Sequence, residues 1–169
     1  MGQATMRHAF ALPATLLLAW LCTLPSPAHA GGQCGTQETT YFSCDTAKHK
    51  TISLCGATPS ALQYRYGKPA QVELQFPDKP SDGVNQLRYA HYSRFQTDRS
   101  EVTFSRGGVD YAVFDYTEQG KRTAGVHITL ADGSEHEVPC AGPIEGRLST
   151  LAKSLRCDAD NALNGGNCP

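Results

Sequence analysis

The chain has 169 residues, and its 15 lysines and arginines stand against 16 aspartates and glutamates for a formal charge of −1. That balance leaves no basic excess with which to hold a nucleic-acid backbone. Hydrophobic residues make up 40% of the chain, a share that excludes a disordered polymer and predicts a packed core.

In chain order, residues 1 to 30 read as a cleaved export signal. Arg7 precedes an apolar run from Ala9 to Leu24, and Ala28-His29-Ala30 is a small-x-small cleavage site before Gly31. The run is too short to favour a membrane anchor. Cleavage removes one basic residue and no acidic one, so 14 positive against 16 negative side chains leave a charge of −2 on residues 31 to 169. That stretch is expected to form a single domain, periplasmic or secreted.

Six cysteines follow the cleavage site: Cys34, Cys44, Cys55, Cys140, Cys157 and Cys168. An even number in an exported chain predicts disulfides. No pair shows the two-residue spacing of a zinc knuckle, and His49, His91, His127 and His136 show no ligand spacing, so neither a metal nor a cofactor is expected. The connectivity stays open, although Cys157 with Cys168 closes the shortest loop over a segment with little to hold it down. Cys34, Cys44, Cys55 and Cys140 would then tie the first hairpin to the last strand.

Thr39 to Cys44 and Thr51 to Cys55 are β-branched and aromatic runs on either side of the polar loop Asp45 to Lys50, a hairpin pattern. Ala61 to Tyr66 and Gln71 to Phe76 alternate in the same way around Gly67-Lys68-Pro69. Pro77 to Gln86, with two prolines and a glycine, reads as the longest irregular loop. Leu87 to Phe95 returns as a strand, and Gln96 to Ser100 turns into a meander. Its strands are Glu101 to Ser105, Val109 to Tyr116, Thr123 to Leu130 and Glu135 to Cys140, each pair separated by a glycine-bearing turn. Placing Leu130 opposite His136 sets Ile128 against Val138 and Val126 against Cys140, with Glu135 and Glu137 on the wet face. After Pro143, the residues Ile144, Leu148, Leu151 and Leu155 recur at helical spacing and predict one short C-terminal helix. The fold class is all-β: a single antiparallel up-and-down barrel or two-sheet sandwich of eight or nine strands.

No catalytic set converges in the pattern. Ser105 beside Arg106-Gly107-Gly108 reads as a turn serine and lies in no nucleophile elbow. Asp158, Asp160, Asn161 and Asn164 resemble a calcium loop superficially, but Ala162 and Leu163 stand where a ligand and a glycine are needed. His127 and His136 fall on opposite faces. Catalytic residues are therefore expected to be absent.

If every link is a hairpin, alternate loops emerge together. One end then gathers Lys48, His49, Lys50, Lys68, Arg99, Lys121 and Arg122, a basic set suited to an anionic glycan or an acidic protein surface in the cell envelope. Tyr64, Tyr66, Tyr89 and Tyr92 are candidates for stacking on a ligand at a barrel mouth.

The stretches Phe42-Ser43-Cys44, Ile52-Ser53-Leu54-Cys55-Gly56, Leu62 to Pro69 and Val72-Glu73-Leu74 resemble an uncharacterised family of small exported proteobacterial β proteins, a resemblance that brings no activity with it. In size, export, disulfides and expected barrel the chain is also similar to periplasmic lysozyme inhibitors. By that analogy Ser105 with Arg106, or Lys121, would take the part of the inhibitory loop. The expected function is that of a non-enzymatic periplasmic binding protein, such as an inhibitor or immunity factor against a cell-wall-active enzyme. The alternatives are a small-molecule or glycan-binding β-barrel and an uncharacterised hydrolase.

Overall fold

The computed structural model describes residues 1–2, 32–69 and 71–168. The predicted export signal and its cleavage site fall almost wholly outside them. Ten strands form the fold: β1 (Thr39–Thr46), β2 (Thr51–Gly56), β3 (Leu62–Lys68), β4 (Gln71–Phe76), β5 (Arg88–Arg94), β6 (Thr97–Arg106), β7 (Val109–Glu118), β8 (Lys121–Thr129), β9 (Glu135–Gly146) and β10 (Arg156–Cys157). They lie in one curled sheet, a half-barrel, in the order β10-β5-β6-β7-β8-β9-β1-β2-β3-β4. All neighbours are antiparallel except β10, which runs parallel to β5.

The alternation in the sequence decides which face is inside. On the concave face Phe42 opposes Leu54, Cys44 opposes Ile52, Tyr64 sits beside Leu54, and Val102, Val113 and Val126 form one row across β6, β7 and β8. Each of these is nearly or fully buried. The trough is filled by Leu87 and by Leu148, Leu151 and Leu155, each of which gains about 2 kcal/mol from burial.

The last three leucines come from the segment expected to be a helix. It forms only a single 3-10 turn, Leu148–Leu151, and Ile144 lies in β9 instead. The reason is competition for the residues before the turn. The far edge of β1 needs a partner, and Ile144, Glu145 and Gly146 supply it by pairing with Cys44, Ser43 and Phe42. Gly146, at φ +70°, then turns the chain into the trough. The apolar stripe is used as predicted, without the helix. The α-helix that does form, α1 (Gly83–Gln86), lies in the proline-rich loop.

The β8–β9 register is offset by two residues from expectation. Val126 faces Val138 and Ile128 faces His136. Leu130 belongs to the turn, closed by Leu130 N–H donating to Ser134 O at 2.9 Å. An even offset preserves the faces, so Glu135 and Glu137 remain outside opposite Thr129 and His127.

Three disulfides staple the sheet: Cys34–Cys55, Cys44–Cys140 and Cys157–Cys168. The first anchors the entry segment to β2, the second joins β1 to β9, and the third closes the C-terminal loop. Such a set fits an oxidising compartment outside the cytoplasm. No helix among the described residues is long and apolar enough to cross a membrane.

The link from β4 to β5 is not a hairpin. Eight antiparallel steps separate these strands in the sheet, so they run in the same sense, and residues 77 to 87 cross the open side of the half-barrel. Every loop after β4 therefore emerges at the end opposite to the one that hairpin counting assigns.

Candidate functional site

The crossing segment and the C-terminal loop together wall a cleft of about 680 Å³ over the outer side of β6, β7 and β8. Its floor follows from strand register. Thr103, Ala112 and His127 form one row and Ser105, Asp110 and Thr129 the next, all pointing away from the core row of Val102, Val113 and Val126. Asn85 and Gln86 of α1 form one rim, and Asp158, Asp160 and Asn161 form the other. At the back, the ring of Phe104 lies 4.6 Å from Phe76 and 4.8 Å from Tyr111, each pair nearly parallel.

Polar contacts hold the walls to the floor and brace the floor itself. Thr103 donates its hydroxyl to Asp158 of the C-terminal loop, and within the floor Ser105 donates to Asp110. Asn161 Nδ2 donates to Glu101 Oε2 at 2.6 Å, and the other oxygen of Glu101 accepts from Tyr116. Burial, and next that bond, push the Tyr116 phenol above its ordinary range, so it stays a donor at any physiological pH. Asn164 bridges the loop to the β5 edge: its Oδ1 accepts from His91 N–H at 3.1 Å, and its Nδ2 donates to Asp158 O at 2.7 Å. The cleft is therefore prebuilt, and its charged lining is acidic, with Asp110, Asp158 and Asp160 against Arg88.

The seven basic residues expected at one end are divided by the crossover. Lys48, His49, Lys50 and Lys68 sit at the β1–β2 and β3–β4 tips. Arg99, Lys121 and Arg122 sit at the other end, because β8 runs in the same sense as β1 and Lys121 opens it. Several are also neutralised. Lys50 Nζ is 2.5 Å from Glu73 Oε2 and lies over the Tyr66 ring, Arg99 pairs with Glu118, and Arg122 Nε is 2.7 Å from Asp115 Oδ1. Lys48, Lys68 and Lys121 remain exposed.

Of the four tyrosines, Tyr64 and Tyr89 are core residues and Tyr66 lies half-buried beneath Lys50, which leaves Tyr92 as the one presented to solvent. Sequence reasoning passed over Phe95, which is 88% exposed at the β5–β6 turn. A phenylalanine directly beside a turn was its only signal. It also passed over Glu101, named only as the start of a strand but buried as the hub between Tyr116 and Asn161. His127 and His136 do lie on opposite faces: His127 Nε2 approaches Glu137 at 3.4 Å, while His136 pairs with Ile128.

Comparison of the chain with known proteins finds no matching family model, curated protein or solved structure.

Proposed function

We propose that this chain is a non-enzymatic binding protein of the periplasm or the secreted space, which holds a protein partner of the cell envelope such as a cell-wall-active enzyme that it inhibits or to which it confers immunity. The observation that carries this reading is the cleft. The trough of the half-barrel is filled by the chain's own leucines, so recognition falls to the outer surface, where a disulfide-closed loop stands over a rigid polar floor. Of the floor hydroxyls, that of Thr103 is engaged with Asp158 of the wall and that of Ser105 with Asp110 beside it. Its acidic lining suits lysine or arginine side chains on a partner.

Charge reversal tests the reading. With the envelope protein that the unsubstituted chain retains in a pull-down from periplasmic extract, the double variant Asp110→Lys and Asp160→Lys is expected to associate about tenfold or more slowly at low salt, with the difference shrinking as salt is raised. An unchanged association rate would remove the cleft from the interface.

The half-buried rings of Phe76 and Tyr111, on either side of the buried Phe104, favour a second reading, a glycan bound along the same cleft with its hydroxyls on Asn85, Gln86 and Asp110. Saturable heat of binding to a purified peptidoglycan oligosaccharide would support that reading over the first, and an absence of heat would reject it.

A further inference from the structure

We infer that the β5–β6 tip is a docking point for an anionic lipid surface, a site separate from the cleft. Phe95 is 88% exposed at the apex of the hairpin, whereas the other phenylalanines among the described residues are buried or half-buried. The tip is braced. Gln119 N–H of the neighbouring hairpin donates to Gln96 O at 2.8 Å, and both residues are held in the left-handed region at φ +50° and +58°. The ring is thus presented by fixed backbone.

Behind it, strand register arranges the outer face in rows. The row nearest the apex is Arg94, Thr97, Glu118 and Lys121, and the next outward row is Tyr92, Arg99, Tyr116 and Thr123. Arg94 lies 5.9 Å over the Tyr92 ring, and Arg99 lies 5.3 Å over Tyr116. Arg94, Arg99 and Lys121 against Glu118 give these two rows a net charge of +2, and the exposed Asp98 on the other side of the hairpin leaves the tip at +1, on a chain that is negative overall. Phenylalanine foremost, Arg94 and Lys121 in the row behind it, and Tyr92 and Tyr116 with Arg99 between them about 7 Å further along the strands follow the order of a bilayer interface: acyl chain, anionic headgroup, then the polar boundary where tyrosine prefers to sit.

A convex apex with one leading ring suits a lipid surface better than a protein, which would need roughly 800 Å² of complementary contact. One phenylalanine with two or three cations gives transient attachment, in the range of a single weak anchor. The tip would hold the protein near the membrane while the cleft stays open.

The only tryptophan of the sequence is Trp20, so in exported protein lacking residues 1 to 30 the variant Phe95→Trp carries a single indole at the apex. With vesicles of equal parts phosphatidylglycerol and phosphatidylethanolamine, its emission is expected to shift to the blue, with no shift on phosphatidylcholine vesicles. Co-sedimentation of the unsubstituted protein with the anionic vesicles is expected to fall about tenfold in roughly 0.5 M salt and at least about tenfold in Phe95→Asp, but to be unchanged in Lys48→Glu at the other end. Equal sedimentation of Phe95→Asp, or no blue shift on anionic vesicles, would overturn the inference. A shift produced by vesicle-free envelope protein alone would overturn it as well, by assigning the tip to a protein partner.

Discussion

Asp115 shows what a single residue does in this fold. It lies on the concave side of β7, 7% exposed, and accepts from Arg122 Nε at 2.7 Å, Arg122 Nη2 at 2.8 Å and Leu148 N–H at 3.3 Å. Arg122 in turn donates to Gly146 O at 2.7 Å, so one carboxylate joins β7, β8, the end of β9 and the turn that fills the trough. Asp115→Asn is expected to cost about 2 to 3 kcal/mol, read as a lower urea midpoint, because it leaves the guanidinium without its countercharge. Glu38 makes a similar clamp at the entry segment, with Oε1 accepting from Arg65 Nη2 at 2.8 Å. The Arg65 guanidinium holds its carboxyl below the usual range. A depressed folded value adds stability that is present above the unfolded value of about 4.3 and lost as pH falls toward the folded one. Glu38→Gln is therefore expected to be less stable at pH 7 and to lose less stability on acidification below about pH 4, measured as urea midpoint against pH. The faces of Val126 and Ile128 could be read from their alternation, since an even slip preserves a face. Asp115 falls on the same face as Val113, in a strand where neither face is cleanly polar, and only the partner strand shows that Arg122 answers it.

Most elements with a local signature are where the sequence predicted them, although β6 starts at Thr97 and takes in all but the first residue of the stretch Gln96 to Ser100 expected as a turn; elements decided by distant partners are not. The turns at Gly107-Gly108, Gly120 and Gly133 carry the positive φ their glycines announced. The C-terminal helix gave way because β1 lacked a second neighbour, a fact about strand order that helical spacing cannot express. Hairpin counting failed at a single link, the one long enough to cross the trough. Gly146 is the residue on which β9 depends. A Cβ there would lie 2.2 Å from Tyr41 O, at φ +70°. Gly146→Ala is expected to lower stability by about 3 kcal/mol or more, whereas Gly120→Ala, with open space around it at φ +80°, should cost about 1 kcal/mol. Thermal unfolding of the two variants checks the contrast. The free edge at β4 is managed within the element: the register shifts at Glu73, and Arg106 Nη1 donates to Gln75 O at 2.8 Å. Both features discourage a further strand from adding there.

For the whole molecule the three disulfides have different tasks. Cys44–Cys140 spans a sequence separation of 96 and Cys157–Cys168 one of 11, so loop entropy assigns the first about 4 to 5 kcal/mol and the second about 3. The double variant Cys157→Ser and Cys168→Ser is expected to stay folded while losing partner binding, because that bridge holds the cleft's outer wall. Cys44→Ser with Cys140→Ser is expected to fail first in thermal unfolding. The all-β class was legible because alternation is local. The cleft was not, because it is assembled from the crossing loop, the outward rows of three strands and a polar tail whose residues looked merely solvated. Its role is tested most directly by a photo-crosslinking amino acid placed at Ala112 on the cleft floor, compared with one at Lys48 on the far tip, in cells that export the protein. The account predicts one discrete adduct with an envelope protein from Ala112 and none from Lys48. A strong adduct from Lys48 with none from Ala112 would contradict it.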